Sequence, residues 1–160
     1  YFEIIRQKTA TLIAACCATG ASSVGADTET IEKARLFGEK VGIAFQIKDD
    51  LFDYGDAEIG KPLGIDIKEK KMTLPLIYAL NQADWSTKRH VINTIKNDSE
   101  NPKKVAEVID FVKKSGGLQY ATEVMQNIVR EALAILDSFP ESIYRTSLAG
   151  LVQFTIERAK

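Results

Sequence analysis

Three aspartates within five residues are the strongest chemical signal in this sequence. Asp49, Asp50 and Asp53 follow Gln46 at steps of three, four and seven residues. On an α-helix, these four side chains fall within an arc of about 100°. Ionised carboxylates this close repel one another, and a divalent cation relieves that repulsion. Because all-oxygen ligands suit hard ions that also hold phosphate oxygens, the sequence predicts an Mg²⁺ site at Asp49, Asp50 and Asp53.

The residues around the aspartates predict that this helix is largely buried. Gly42 lies one turn earlier on the polar stripe, and apolar residues occupy well over half of the circumference. The alternative is that the stripe simply faces water, as polar helix faces often do. The wide apolar surround favours a stripe that faces the interior. These apolar residues are Leu36, Phe37, Val41, Ala44, Phe45, Ile47, Leu51 and Phe52.

Lysines follow the aspartates in a stretch rich in glycine and charge, from Gly55 to Leu74. The lysines of this stretch are candidates to hold the far oxygens of a diphosphate beside the metal, although solvated surface lysines are an open alternative: Lys61, Lys68, Lys70 and Lys71. Lys8, with Thr9 beside it, precedes an otherwise apolar helical stretch and is a further candidate phosphate contact.

The elements that must position these residues are helices. No segment keeps the apolar–polar alternation of a strand, so the predicted fold class is all-α, with residues 1–160 forming a single domain. The loop from Gly55 to Leu74 is longer than usual connections. Asp27 or Thr28 is predicted to cap the second helix. The predicted helices run over about 2–19 (ending at Gly20), 28–54, 75–80, from Ser86, from Asn101 or Pro102, over 117–138, and from after Phe139-Pro140 to the C-terminus.

Composition excludes several other classes. Twenty-one Lys and Arg residues against 22 Asp and Glu leave a net charge of −1, which argues against nucleic acid as a partner. No apolar run is long enough to cross a bilayer, and no signal peptide is recognised. The adjacent Cys16 and Cys17 cannot pair with relaxed geometry, so we expect a reducing, cytoplasmic location.

Four blocks occur in a characteristic order: Lys8-Thr9-Ala10; Phe45-Gln46 followed by Asp49-Asp50-Leu51-Phe52-Asp53; Gly60-Lys61 with Gly64-x-Asp66; and Glu69-x-Lys71-x-Thr73-Leu74-Pro75. In these blocks the sequence resembles the trans-isoprenyl diphosphate synthase (polyprenyl synthetase) family. The second block is similar to that family's second aspartate-rich motif. From Leu76 onward the resemblance is weaker.

The resemblance implies an all-α helical bundle of the isoprenoid (terpenoid) synthase type and Mg²⁺-dependent prenyl transfer. The substrates it implies are an allylic prenyl diphosphate and isopentenyl diphosphate, in an enzyme that is commonly a homodimer. It assigns Asp49, Asp50 and Asp53 to the metal. Residues implied to bind the allylic diphosphate are Lys8, Lys61 and Lys71, while Thr9 and Gln46 would line the cavity and favour the developing carbocation.

Two departures from the family pattern matter. Lys70 stands where the family often has glycine, and the family's first aspartate-rich motif with its arginine pair is absent. That motif precedes the Lys8-Thr9-Ala10 block in the family, so we expect this chain to be the C-terminal half of a longer protein and inactive alone. The residues of the loop around Asp66 resemble those of family members with medium-chain or long-chain products, of the octaprenyl type.

Other interpretations of the sequence are weaker but distinct. A related terpene synthase or head-to-head condensing enzyme would not need the lysine-rich loop. A non-catalytic helical subunit or scaffold of a prenyl synthase complex would not need the aspartates. His90, the only histidine, has no partner at metal-ligand spacing and is predicted to lie on the surface. Arg158 and Lys160 are predicted to form a solvated tail rather than to close over a diphosphate.

Overall fold

The computed structural model of the protein describes residues 1–55 and 63–158, and within these ranges it contains helices and no strands. The all-α prediction is confirmed. None of the helices in the described ranges is long and apolar enough to span a membrane. The helices are α1 (Phe2–Ile5), a π-helical turn (Arg6–Ala10), α2 (Thr11–Ser23), α3 (Thr28–Phe52), α4 (Ile65–Lys68), α5 (Leu74–Gln82), α6 (Trp85–Asn97), α7 (Pro102–Lys114), α8 (Gly117–Asp137) and α9 (Ile143–Glu157).

Short polar side chains begin several helices, because each one accepts a hydrogen bond from a backbone N–H group that has no partner within its own helix. Asp27 accepts from Thr30 N at 2.7 Å and begins α3 as predicted. The carboxylate of Asp84 accepts from the backbone of Ser86 and Thr87, so α6 begins earlier than the predicted Ser86.

The first helical stretch differs from its prediction in two ways. It continues through Gly20 to Ser23, and the chain reverses at Gly25, whose φ is +74°. Glycine adopts this left-handed conformation without the steric penalty of a side chain. The stretch also contains a π-helical turn at Arg6–Ala10, where each hydrogen bond spans five residues rather than four.

A short helix interrupts the stretch that was predicted to be a loop. Gly64 has a φ of +73° and directly precedes α4, which occupies Ile65–Lys68. No apolar periodicity announces a helix of one turn, and its N-terminal N–H groups bond to Asp53, which is twelve residues earlier. The element is therefore stabilised by a tertiary contact.

The chain divides into two compact units. Unit 1 consists of Tyr1 and residues 49–123, and unit 2 consists of residues 2–48 and residues from Val124 to the end of the chain. One division point falls inside α3, between Lys48 and Asp49, and the other falls inside α8.

Unit 1 has its own apolar core, formed where α5, α6 and α7 pack against one another and against residues that flank α4. Tyr54, Leu76 and Val112 are fully buried there. The core also contains Ile67, Ala79, Leu80, Val91, Ile95, Val105, Val108 and Ile109.

In unit 2, α3 approaches α2 and the π-helical turn closely through two of its glycines. A Cβ atom on Gly38 would lie 2.8 Å from the carbonyl oxygen of Ile13, and one on Gly42 would lie 2.5 Å from Cα of Ala10. An ion pair of 2.6 Å joins Lys40 of α3 to Glu131 of α8. The glycines therefore set how close the helix carrying Gln46 comes to the π-helical turn.

Candidate functional site

The carboxylate of Asp50 is buried in unit 1 and bonded to a tyrosine. Asp50 is 6% exposed, and the Tyr1 hydroxyl donates a hydrogen bond of 2.6 Å to its Oδ2 atom. Burial, together with the neighbouring negative charge of Asp50, raises the pKa of Tyr1 well above its ordinary value. The phenol therefore stays protonated and acts as the donor to Asp50.

Asp53 bridges the end of α3 to the start of α4. Its Oδ1 atom accepts a hydrogen bond from Ile65 N at 2.8 Å, and its Oδ2 atom accepts one from Asp66 N at 3.1 Å. Its carbonyl oxygen also accepts from Gly64 N at 3.1 Å. Asp53 is 9% exposed, so these bonds compensate for the hydration that its carboxylate has lost.

Asp49, in contrast, is exposed to solvent at the surface of unit 1. The prediction of a buried aspartate stripe is therefore confirmed for Asp50 and Asp53 and wrong for Asp49. An exposed carboxylate keeps its hydration and needs no counter-charge to be stable, which removes the burial argument at this position.

The donor chemistry of these residues suits a hard cation, since all three aspartates offer only oxygen atoms. Within residues 1–55 and 63–158, however, no group of three His, Cys, Asp or Glu side chains is arranged so that it could hold a metal ion. Asp50 and Asp53 are already engaged by hydrogen-bond donors. The magnesium site stays a prediction.

Lys71 is held by two acidic partners in unit 1. Its Nζ atom lies 2.9 Å from Asp66 Oδ1 and 2.5 Å from Glu69 Oε2. The hydrogen bonds to Glu69 and Asp66 raise the pKa of Lys71 above its ordinary value, so the ammonium is charged at neutral pH. Asp66 therefore contacts both residues: its backbone N–H donates to the carboxylate of Asp53, and its own carboxylate pairs with Lys71, a predicted diphosphate ligand.

Two further lysines of this segment are Lys70, which the structure describes, and Lys61, which lies outside the described residues. Lys70 adopts a φ of +58°, the left-handed region that favours glycine, and its Nζ atom donates to the carbonyl oxygen of Lys96 at 2.8 Å. This conformation explains physically why a glycine is suited to the position. Lys61, a predicted diphosphate ligand, lies outside the described residues.

Thr9 and Gln46, which the family resemblance assigns to the lining of the same cavity, are in contact within unit 2. The Thr9 hydroxyl donates a hydrogen bond of 2.8 Å to Gln46 Oε1. Thr9 belongs to the π-helical turn, as does Lys8, whose side chain is exposed. Thr11 Oγ1 donates to the carbonyl oxygen of Arg6 at 2.8 Å, and this bond supports the turn from its C-terminal side.

Three contacts, two in unit 1 and one in unit 2, were not predicted from sequence. Tyr1 bonds to Asp50, the buried hydroxyl groups of Tyr54 and Thr73 lie 2.6 Å apart, and Arg158 lies over the ring of Phe45 at 4.2 Å. Arg158 is therefore not part of a solvated tail. Single tyrosines carry no spacing signal, so no pattern in the sequence could have identified the first two contacts.

A protein-family model described as Polyprenyl synthetase matches residues 1–112 of the chain. The chain belongs to the polyprenyl synthetase family. The match covers every residue that the sequence analysis singled out for metal or substrate binding, from Lys8 to Lys71.

A curated relative is similar along the whole chain. The short chain isoprenyl diphosphate synthase of Methanothermobacter thermautotrophicus is 38% identical over 160 residues, which are 99% of this chain and 49% of the relative. The chain thus spans about half the length of the curated relatives that it matches.

Two solved structures of polyprenyl synthetases resemble this chain closely. A decaprenyl diphosphate synthase from Rhodobacter capsulatus has a TM-score of 0.91 and 32% identity, over 100% of this chain and 50% of its own. A polyprenyl synthase from Caulobacter crescentus, complexed with calcium and isoprenyl diphosphate, has a TM-score of 0.89 and 33% identity, over 99% of this chain and 49% of its own. This chain of the polyprenyl synthetase family therefore has the all-α isoprenoid synthase fold.

Proposed function

We propose that the protein to which this chain belongs is an Mg²⁺-dependent prenyltransferase that elongates an allylic diphosphate with isopentenyl diphosphate. The observation that carries the proposal is the family match over residues 1–112, which contains all of the candidate aspartates and lysines. The relative from Methanothermobacter thermautotrophicus is itself named an isoprenyl diphosphate synthase. The proposal assigns a chemical role to the aspartates, to the lysines and to the Thr9–Gln46 pair.

In this proposal Asp49, Asp50 and Asp53 hold Mg²⁺, directly or through water. The oxygen-only donor set supports a hard cation, and so does the calcium that accompanies isoprenyl diphosphate in the Caulobacter crescentus enzyme. When bound, the ion neutralises charge on the diphosphate oxygens. Asp49 is exposed to solvent and therefore open to an incoming ion, whereas Asp50 would share its carboxylate with the Tyr1 hydroxyl.

The lysines act on the leaving group. The bond between carbon 1 of the allylic chain and its diphosphate oxygen breaks, and the electron pair leaves with the diphosphate. Lys8, Lys61 and Lys71 would bind this diphosphate and stabilise its growing charge more strongly than the ground state. Lys71 would do so by exchanging Asp66 and Glu69 for phosphate oxygens, since it is already charged and preorganised by them.

Thr9 and Gln46 act on the carbocation that remains. The hydroxyl of Thr9 donates to Gln46 Oε1, so the lone pairs of the Thr9 oxygen are available to an electron-poor carbon. The double bond of isopentenyl diphosphate then attacks carbon 1 of the allylic cation. Loss of one proton from the adduct restores a double bond and balances the step.

The finer parts of the proposal have different support. The proposal of a medium-chain or long-chain product is supported by the sequence of the loop around Asp66. The relatives include both a short chain isoprenyl diphosphate synthase and a decaprenyl diphosphate synthase. A cytoplasmic location is supported by the free cysteines Cys16 and Cys17. The homodimer rests on the family resemblance alone.

The test uses the full-length protein with an allylic diphosphate, isopentenyl diphosphate and Mg²⁺. We expect product formation that EDTA abolishes and Mg²⁺ restores. The variant Asp49→Asn should lower kcat by about 100-fold or more, as the loss of a charge-stabilising group does. Asp110→Asn, on the exposed surface of α7, is the matched control and should stay within about twofold, as surface substitutions away from a site usually do.

Product formation that is insensitive to EDTA would contradict the metal assignment. A protein that forms no product and whose melting temperature does not respond to Mg²⁺ with a diphosphate analogue would instead be a non-catalytic helical subunit.

A further inference from the structure

The outer face of α6 combines basic residues with an exposed tryptophan. Trp85 is 73% exposed, and Arg89, Asn93 and Lys96 are also exposed. Steps of three and four residues place side chains on one side of a helix. We call this set the α6 face, and it comprises Trp85, Lys88, Arg89, Ile92, Asn93 and Lys96.

No acidic residue interrupts the α6 face. The whole of α6, Trp85–Asn97, contains three lysines and arginines and no aspartate or glutamate. Lys70 adds a further ammonium group at the C-terminal end of the helix, where its Nζ atom bonds to the carbonyl oxygen of Lys96. Its positive charge is therefore local, because the chain as a whole has a net charge of −1.

The neighbouring helix α7 shows how a solvated surface in the same unit neutralises its cations. There Lys104 pairs with Glu107 at 2.8 Å, and Lys114 pairs with Asp110 at 2.7 Å. In the part of the chain that the structure describes, Lys88, Arg89 and Lys96 form no such ion pair with an acidic side chain. The cations of the α6 face are therefore available to an external anion.

Trp85 is presented rather than buried. The guanidinium carbon of Arg89 lies 5.2 Å from the centroid of the Trp85 ring, at cation–π distance. This contact holds a large amphipathic ring at the surface, next to the cations. Tryptophan and basic side chains on one helix face are typical of segments that lie in the interface of a bilayer, where the ring enters the headgroup region and the cations meet anionic lipid.

We propose that the α6 face docks on bilayers that contain anionic phospholipid. Charge complementarity selects the partner, because each basic residue near such a surface contributes about 1 kcal/mol, or about fivefold in binding. The exposed ring of Trp85 adds an apolar component that a purely phosphate-bearing polymer would not use. This surface lies away from the candidate aspartates in sequence and does not depend on the proposed activity.

Co-sedimentation of the full-length protein with vesicles tests the proposal. One set of vesicles contains phosphatidylcholine with phosphatidylglycerol, and the other contains phosphatidylcholine alone. We expect binding to the anionic vesicles that weakens as salt is raised, because salt screens surface charge. The triple variant K88Q/R89Q/K96Q should lower the partition coefficient by about 100-fold, from three factors of about five.

The matched control is K103Q/K104Q/K114Q, which removes three charges from α7 in the same unit. It should stay within about fivefold of wild type, since it changes only the net charge. Circular dichroism and the melting temperature verify that both triple variants fold. The emission spectrum of wild type minus that of Trp85→Phe isolates Trp85, and we expect this difference spectrum to shift to shorter wavelength when anionic vesicles are added.

Several results would overturn the proposal. One is equal loss of binding in the α6 and α7 triple variants, which would indicate a nonspecific charge effect. Equal binding to both sets of vesicles would indicate apolar insertion elsewhere. An unshifted Trp85 spectrum on vesicle-bound protein, or binding of RNA through the α6 face without any binding to anionic vesicles, would also reject it.

Discussion

At the scale of single residues, the three aspartates of one motif occupy three different environments. Asp49 is exposed, Asp50 is buried against the Tyr1 hydroxyl, and Asp53 is bonded by two backbone N–H groups at the start of α4. A carboxylate held by backbone donors contributes to folding, whereas an exposed one contributes little. Identical residues in the motif should therefore have separable effects on stability and on catalysis.

We predict that Asp53→Ala lowers the free energy of unfolding by about 2 kcal/mol, because two N–H groups of the α4 start lose their acceptor. Asp49→Ala is the matched control and should change stability by less than about 0.5 kcal/mol, as exposed substitutions do. Urea denaturation of both variants measures the difference. Equal destabilisation by the two substitutions would show that the contact between Asp53 and α4 is not formed in solution.

At this scale the sequence predicts which side chains carry chemistry, but it does not predict which residues they contact. The spacing predicts that Gln46, Asp49, Asp50 and Asp53 share one helix. The structure confirms this for the first three, but the prediction is wrong for Asp53, because α3 ends at Phe52 and Asp53 lies in the turn that follows. The bond from Thr9 to Gln46 joins residues 37 positions apart, and the bond from Tyr1 to Asp50 joins residues 49 apart. Such pairs depend on how helices pack, which hydrophobic periodicity does not specify.

At the scale of elements, small residues decide how closely the helix of the π turn packs against α3. Ala10 is fully buried and lies against Gly42, where a Cβ atom would be 2.5 Å from Cα of Ala10 and 2.8 Å from its Cβ. Real Cβ atoms do not approach this closely, so any larger residue must push the two helices apart. The Thr9–Gln46 contact lies beside this crossing and depends on its spacing.

We predict that Gly42→Ala destabilises the protein by about 1 to 3 kcal/mol, because the overpacking cost exceeds the gain in helix propensity of about 1 kcal/mol. Gly20→Ala is the control, since Gly20 lies in α2 with open space around its Cβ position. There the propensity gain should stabilise the protein by up to about 1 kcal/mol. Thermal melts of both variants test this opposition of sign, and stabilisation by Gly42→Ala would contradict the packing.

Helix caps predict a pH dependence of stability at acid pH. Bonds from the backbone of Thr87 and Ser86 lower the pKa of Asp84 below its ordinary value of 3.8. Its contribution is therefore present above about pH 3.8 and is lost as the pH falls through the lower, folded-state pKa. We expect Asp84→Ala to lower the melting temperature at pH 7 and to have a smaller effect at pH 2.

Asn101→Ala is the matched control for this pH dependence. Asn101 caps α7 by accepting a hydrogen bond of 3.0 Å from Lys103 N, and its amide does not titrate. Its loss should cost about 1 kcal/mol at every pH. If the effect of Asp84→Ala were equally independent of pH from 7 to 2, the cap would not act through its charge.

Helix interiors were more predictable than helix ends. The starts of α3 and α7 agree with the prediction because Asp27 and Asn101 are strong local signals. The end of α2 and the whole of α4 were missed. Gly20 carries no positive φ and stays helical, while α4 depends on the distant Asp53.

At the scale of the whole molecule, this chain corresponds to only part of the length of its relatives. The match to the Methanothermobacter thermautotrophicus enzyme covers 99% of this chain but only 49% of that enzyme. The fold class and the family were predictable because several separate motifs agree in order. The chain length of the product was not settled by the sequence: the loop around Asp66 favours medium-chain or long-chain products, whereas the relatives include both a short chain and a decaprenyl diphosphate synthase.

We predict that the 160-residue chain assayed alone, with Mg²⁺ and both substrates, shows no turnover. Its sequence carries one aspartate-rich motif, at Asp49–Asp53, whereas the family resemblance implies two such motifs around the diphosphates. A radiolabelled isopentenyl diphosphate assay measures this, with the full-length protein as the positive control. Robust product formation by the 160-residue chain would show that one motif suffices.

The π-helical turn at Arg6–Ala10 has a consequence for how this segment tolerates change in length. A π turn is equivalent to an α-helix with one residue added, so deleting a single residue there can restore regular geometry without breaking the helix. The helix would survive, and Phe2–Ile5 would keep nearly its present orientation relative to Thr11–Ser23, while the side chains within the turn itself would change position. A one-residue deletion would therefore leave helicity nearly intact while breaking the Thr9–Gln46 alignment, and so separate secondary structure from function.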